Sequence, residues 1–348
     1  MKLGAVPQNP IERIAKAFGM LPEPLLDTHI AMLLARAIME GSRLGVYEAL
    51  KGEPLTGEEI AKSCGGHPRA MAKLLNALVG CGYLVWDAGR YSLSPMARKW
   101  LLPDADQPLH DKMLFQFLEW DSIEGIGDYV RTGQPQDIHS TMTPDEWGMY
   151  QRGMRSAAAT WAPEVGRRTP VPKGAKDMLD IGGSHGLMSV ALCRRHPGLR
   201  AVILDLPEAV EHAAPILAKE GMGDRVTHRA GDVLEEDLGV EAWDVILMAN
   251  LVHHFDDATN RALAKKIARA LRPGGVFVIQ ELYRPHTPNE AGQVGALLDL
   301  YFATTSQSGT WSFEEMADWQ REAGLKPMKP IKFRTVPGNG LQAAVKAG

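Results

Sequence analysis

In the stretch MANLVHHFDDATN, residues 248–260, two histidines follow an apolar run and two aspartates come next. An imidazole, with an ordinary pKa of about 6.5, keeps a free nitrogen near neutral pH and can act there as a general base. Histidine beside aspartate can also hold a metal ion. Adjacent side chains on extended backbone point to opposite faces, so His253 and His254 cannot easily share one ion. Asp256 and Asp257 are better explained as caps of a following helix, with Asp257 the candidate N-cap. No metal site is therefore expected. His253 remains as a candidate base, or as a satisfied histidine at a strand end. His254 reads as structural or pocket-lining.

A second group of residues suits a nucleoside. The loop DIGGSHG, residues 180–186, joins an apolar run to a helical one. Gly182, Gly183 and Gly186 let backbone approach a ligand, and the helix that follows presents free N–H groups. Asp205 ends the run RAVILD, where a carboxylate can accept from both ribose hydroxyls. Asp232, in AGDVL, is placed to accept from an adenine amino group. A dinucleotide fingerprint needs glycines at the first, third and sixth positions, and glycines at 182, 183 and 186 do not fit it. The pattern favours S-adenosylmethionine over NAD.

These residues need elements to hold them. From residue 171 onward strands and helices alternate, which implies a parallel sheet covered on both faces. The strands are DMLDI, RAVILD, a run ending at Asp232, WDVILMAN and VFVIQEL. Arg272-Pro-Gly-Gly ends the helix that carries Leu263, Ile267 and Leu271 on one face. Ligands of such sheets lie at the carboxyl ends of the strands, where the glycine loop, Asp205 and Asp232 converge. TPVPKGAK, residues 169–176, reads as a linker. Upstream the pattern is mainly helical, with breaks expected at Gly41 and Gly45. A short helix at Glu58–Lys62, a longer one at Pro68–Val79 and the strands YLVW and RYSLS make a winged helix. Its second helix offers only Arg69 and Lys73 as cations, too few for a DNA reader. A packing or dimerisation module suits it better. The expected divisions are 1–110, a connecting and lid segment 111–170, and a cofactor-binding domain 171–348.

Composition excludes other classes. The 348 residues are 45% hydrophobic and 23% charged, with a net charge of −4, so no basic field invites nucleic acid. Cys64, Cys81 and Cys193 lack C-x-x-C spacing, which argues against a disulfide framework or a zinc site. No signal peptide or membrane-spanning run is read, so a soluble cytoplasmic protein is expected.

Together YQRGM (150–154), DIGGSHG, ILDLP, GDV, LVHHFDD, LRPGG, VIQE and FEEMADWQREAGL resemble the two-domain class I S-adenosylmethionine-dependent O-methyltransferases of plant phenolic and bacterial polyketide metabolism. The resemblance implies an α/β fold: a Rossmann-like methyltransferase sheet with a mainly helical, winged-helix N-terminal dimerisation domain. It implies a homodimer that takes a small-molecule acceptor, neither nucleic acid nor membrane, and releases S-adenosylhomocysteine. By position, Gly182, Asp205, Leu206, Asp232 and Val233 hold the cofactor, with Ala249 and Asn250 beside it. His253 matches the general base and Glu281 the carboxylate that orients it. Tyr150 and Met154 correspond to acceptor-pocket positions of the family; apart from the resemblance, Phe117 in MLFQFLEWD and Tyr301 in LLDLYFATTSQSGTW are candidates for the pocket's lid and walls, with His254. Two departures stand out. His254 takes the place of a common aspartate, and Thr310 falls near a second supporting glutamate of plant members. Methylation of carbon or nitrogen, or a relative that retains the cofactor without methylating, stays open on the same scaffold. So does a winged-helix regulator that senses a ligand.

Overall fold

The computed structural model describes residues 3–105, 107–336 and 338–348. The chain divides into two compact units, with the division after Phe117, inside the helix His110–Glu124.

The first unit is helical with a small wing. A π-helical turn Leu26–Ile30 leads into the helix Ala31–Arg43, which runs through Gly41 rather than breaking there. The reason is packing: a Cβ at Gly41 would stand 2.6 Å from the Tyr47 hydroxyl. Gly45, at φ +75°, ends this segment as expected. Thr56 and Glu59 form a capping box that starts the helix Gly57–Ser63. The helix Pro68–Gly80 buries Met71, Leu75 and Leu78 against Tyr47, Leu50 and Ile60, which uses up its apolar face. Arg69 and Lys73 stay exposed. Strands β1 (Leu84–Asp87) and β2 (Arg90–Leu93) pair antiparallel as the wing.

The second unit is built on one sheet. Its strands are β3 (Asp177–Ile181), β4 (Arg200–Asp205), β5 (Val226–Ala230), β6 (Trp243–Ala249), β7 (Leu271–Leu282), β8 (Leu325–Pro327), β9 (Ile331–Lys332) and β10 (Asn339–Lys346). The order is β5-β4-β3-β6-β7-β10-β8, with β9 also on β10. Strands β3 to β7 are parallel, but β10 runs antiparallel to β7, β8 and β9, so the sheet is mixed rather than wholly parallel. Chain order reverses between β3 and β6, the switch point at which such sheets open a crevice. Alternation along the strands feeds two cores. Leu179, Ile246 and Phe277 pack on one face, and Met178, Val245 and Val278 on the other.

Two local expectations need correction. Arg272-Pro-Gly-Gly does not separate helix from strand, because β7 already begins at Leu271. The N-cap of the helix Asp257–Ala270 is Asp256, which accepts from the Thr259 N–H at 2.8 Å. Asp257 instead accepts from Arg261 Nε and the Trp319 indole N–H. No described helix is long and apolar enough to cross a membrane.

Candidate functional site

A cavity of about 400 Å³ opens at the carboxyl ends of β3, β4 and β6. That volume is within the range of small-molecule sites. Its floor is the glycine loop. Gly182 sits at φ +65°, and a Cβ there would come within 2.8 Å of the Leu251 side chain. Ser184, also left-handed at φ +51°, donates its N–H to Asp205 Oδ2 at 2.7 Å. The Leu206 N–H holds Oδ1 at 2.8 Å, so the Asp205 carboxylate is aimed by backbone on both sides. Burial pushes its pKa up, and those two hydrogen bonds oppose the shift. Asp232 accepts from the Leu234 N–H at 2.8 Å, and Lys266 reaches Val233 O at 2.7 Å, which fixes the turn after β5.

The opposite wall comes from the helix Pro144–Ala158, started by the Thr143–Glu146 capping box. Trp147, Tyr150 and Gln151 stand at i, i+3 and i+4 and line the cavity together. Gln151 Oε1 accepts from the Ser184 hydroxyl, while its buried Nε2 has no partner. Burial raises the Tyr150 phenol well above the usual tyrosine range.

His253 and His254 lie on a 3-10 turn, Val252–His254, not on extended backbone. The Trp311 indole N–H and the Asn260 amide both donate to Val252 O, at 3.0 and 2.9 Å, and pin that turn. The two imidazoles are therefore neighbours, 4.3 Å between centroids, rather than on opposite faces. Among the described residues, no group of three or more His, Cys, Asp or Glu side chains has the arrangement of a metal site. His253 is 3% exposed and stacks on Phe302 at 4.4 Å. Its Nδ1 lies 2.9 Å from Glu281 Oε2. Glu281 Oε1 in turn accepts from the Leu282 N–H at 3.0 Å. His254 faces the cavity, and burial, with His253 and His139 beside it, holds its pKa well below the usual histidine range.

Gly182, Asp205, Leu206, Asp232, Val233, Asn250, Tyr150 and His254 are thus brought to one cavity. Gly183 and Gly186 support the loop from behind, packed on Asp180 and on Ile203 with Leu217. Ala249 precedes the left-handed Asn250, whose amide pairs with Gln280. Tyr301 donates to Glu119 at 3.1 Å. Met154 is half-buried on the wall helix. Phe117 belongs to the first unit, with the Arg36 and Arg43 guanidiniums 4.6 and 4.4 Å from its ring centroid. Thr310 is fixed by Asp299, which accepts its N–H at 2.9 Å. Sequence reading passed over Trp147, Gln151, Ser184 and His139. The first two share Tyr150's helical face, a spacing that could have found them.

The residues present fit S-adenosylmethionine. Gln151 Nε2 is a buried donor that lacks a partner within the protein. Asp137, Asp205 and Asp232 line the cavity, and no Lys or Arg is among its described lining residues, a field that complements a sulfonium.

Comparison with known proteins agrees with this architecture. Residues 127–325 match the family model of the O-methyltransferase domain, and residues 29–103 that of the O-methyltransferase dimerisation domain. The chain is 27% identical to 3-hydroxy-5-methyl-1-naphthoate 3-O-methyltransferase of Streptomyces sahachiroi, over 94% of this chain and 96% of that protein. It is 30% identical to the mitomycin biosynthesis 6-O-methyltransferase of Streptomyces lavendulae, over 70% and 73%. In fold it resembles human N-acetylserotonin methyltransferase, solved in complex with S-adenosylmethionine. That match has a TM-score of 0.84 at 16% identity and covers 99% of this chain and 100% of that one. A methyltransferase enzyme is the consequence. The chain belongs to the O-methyltransferase family, whose methyl donor is S-adenosylmethionine.

Proposed function

We propose that this enzyme methylates a hydroxyl of a small aromatic or polyketide-like molecule, with His253 as general base. The observation that carries the reading is the 2.9 Å contact between His253 Nδ1 and the buried Glu281 carboxylate. A carboxylate accepts only, so it fixes the Nδ1–H tautomer and leaves the Nε2 lone pair to take a proton. The imidazolium that forms is stabilised by the same carboxylate. S-adenosylmethionine, when bound, supplies the methyl group and a neutral leaving group.

The remaining roles follow from the cavity. Asp205 and Leu206 suit the ribose end, Asp232 and Val233 the adenine end, and Gln151 Nε2 a carboxylate. Gly182 and Asn250 offer backbone close to the ligand. Tyr150 and His254, which line the cavity, are assigned to the acceptor, and the family resemblance adds Met154, while Tyr301, bonded to Glu119, is assigned to the pocket wall. Both relatives named above are O-methyltransferases, one of them acting on a hydroxynaphthoate, which supports an aromatic hydroxyl as the acceptor.

Calorimetric titration with S-adenosylmethionine, followed by turnover assays, tests the reading. His253→Ala should lower turnover by roughly 10²- to 10⁴-fold, the usual worth of a general base, while cofactor affinity holds. A His253→Ala enzyme at full rate, with His254→Ala inactive, would move the base to the neighbouring imidazole.

A further inference from the structure

His139 is not used by this reading, yet it lines the same cavity. It lies on the short helix Ile138–Thr141, whose position is fixed at several points. Asp137 caps it by accepting the Ser140 N–H at 3.2 Å. Just upstream, the Gln136 N–H donates to Thr304 O at 2.7 Å. The His139 ring meets His254 edge-on, 4.9 Å between centroids at 81°, and Tyr150 at 5.2 Å and 88°. Trp147 lies 5.7 Å away. Neither His139 nor His254 has a side-chain hydrogen-bond partner among the described residues. Two crossed imidazoles thus share one cavity wall with their polar atoms unused by the protein. Ser306, 6% exposed on the same lining, adds a hydroxyl oxygen without a partner.

Resting on the methyl-transfer reading, we propose that His139 determines acceptor specificity: with His254 it recognises an uncharged hydroxyarene carrying a second oxygen beside the hydroxyl. Each neutral imidazole has one donor and one acceptor nitrogen, so the pair can hydrogen-bond the second oxygen whether it donates or accepts, and the reacting hydroxyl is left to His253. Burial disfavours the charged form of both rings, which keeps that division of roles near neutral pH. The charge condition follows from the lining. Asp137, which caps the His139 helix, lines the cavity, and no Lys or Arg is among the described lining residues, so a carboxylate on the acceptor is costly to bury.

Binding, read without turnover, tests the proposal. The full-length enzyme is saturated with S-adenosylhomocysteine and titrated with 2,3-dihydroxynaphthalene, 2-naphthol and 3-hydroxy-2-naphthoate. The dihydroxy probe should bind about ten-fold or more tightly than 2-naphthol, because an unpaired buried polar group penalises the analogue that lacks its partner. The naphthoate should bind weakest. His139→Phe, which keeps an aromatic ring against Trp147 and Tyr150, should erase the difference between the first two probes. His139→Gln should restore part of it. Equal affinities in the wild type, or a preference that survives His139→Phe, would overturn the proposal. So would a tenfold loss of S-adenosylhomocysteine affinity in both variants with melting temperature retained, since that would assign His139 to the cofactor. Absence of methyl transfer to any acceptor would instead sink the reaction assigned above, and the binding readout separates the two failures.

Discussion

Asp180 is fully buried beneath the glycine loop, and that burial pushes its carboxyl up to about 7, against the pull of the Ser189 hydroxyl bond. One of its oxygens, Oδ1, has no partner. The native state therefore binds a proton that the unfolded chain, with an ordinary carboxyl pKa of 3.8, has already released. Stability should fall as pH rises from about 4 through about 7 and level off above that. Asp180→Asn removes the titration, so its thermal melts between those limits should lose this part of the slope. A slope unchanged in the variant would mean that another group titrates. Nearby, Gly182 combines φ +65° with a Cβ position 2.8 Å from Leu251. Gly182→Ala should therefore weaken S-adenosylmethionine binding by about ten-fold or more, measured by calorimetry, because the loop must shift to admit a methyl.

Between elements, Glu164 does what a cap does within one. It is 3% exposed on the helix Ala162–Arg168 and accepts from the Arg334 N–H, the Thr335 N–H and the Thr335 hydroxyl. Glu164→Ala removes the acceptor of two part-buried N–H groups and a hydroxyl and should cost about 1–2 kcal/mol, seen as a lower denaturant midpoint. A loss below about 0.5 kcal/mol would show that water replaces the carboxylate. Elements were largely legible in the sequence, because periodicity, glycine turns and capping residues act locally. The helix at Pro68–Gly80 and the strands that end at Asp205 and Ala249 all declare themselves that way. What stayed hidden depends on distant partners. His139 stands in GQPQDIHST without periodicity, in a segment tied down at a distance by the Gln136 N–H bond to Thr304 O. Asp256 and Asp257 are equivalent caps on paper, and the choice is made by Trp319 and Arg261, which claim the second. The residues NGLQAAVK look like a strand, but nothing local says they run against β7.

At the scale of the molecule, the first unit leaves an apolar surface open: Leu25, Ile30, Met32 and Leu33 are 47% to 57% exposed. Residues 29–103 match a dimerisation domain, and burial of such a surface in a second copy is the expected use. Sedimentation equilibrium should give a dimer for the wild type and a monomer for Met32→Glu with Leu33→Glu. A dimer indifferent to both charges would place the interface elsewhere. The sheet of the second unit has its own consequence. Strand β10, residues 339–346, lies between β7 and β8, and its Gly340 faces Glu281 across the ladder. During synthesis the edge of β7 thus stays bare until residues 339–346, more than 50 positions further along the chain, have left the ribosome. A nascent or prematurely terminated chain ending before residue 339 would present that edge, with Glu281 on it, to chaperones or to other nascent chains. Quality control of this enzyme would then hinge on how soon β10 follows β7 onto the sheet.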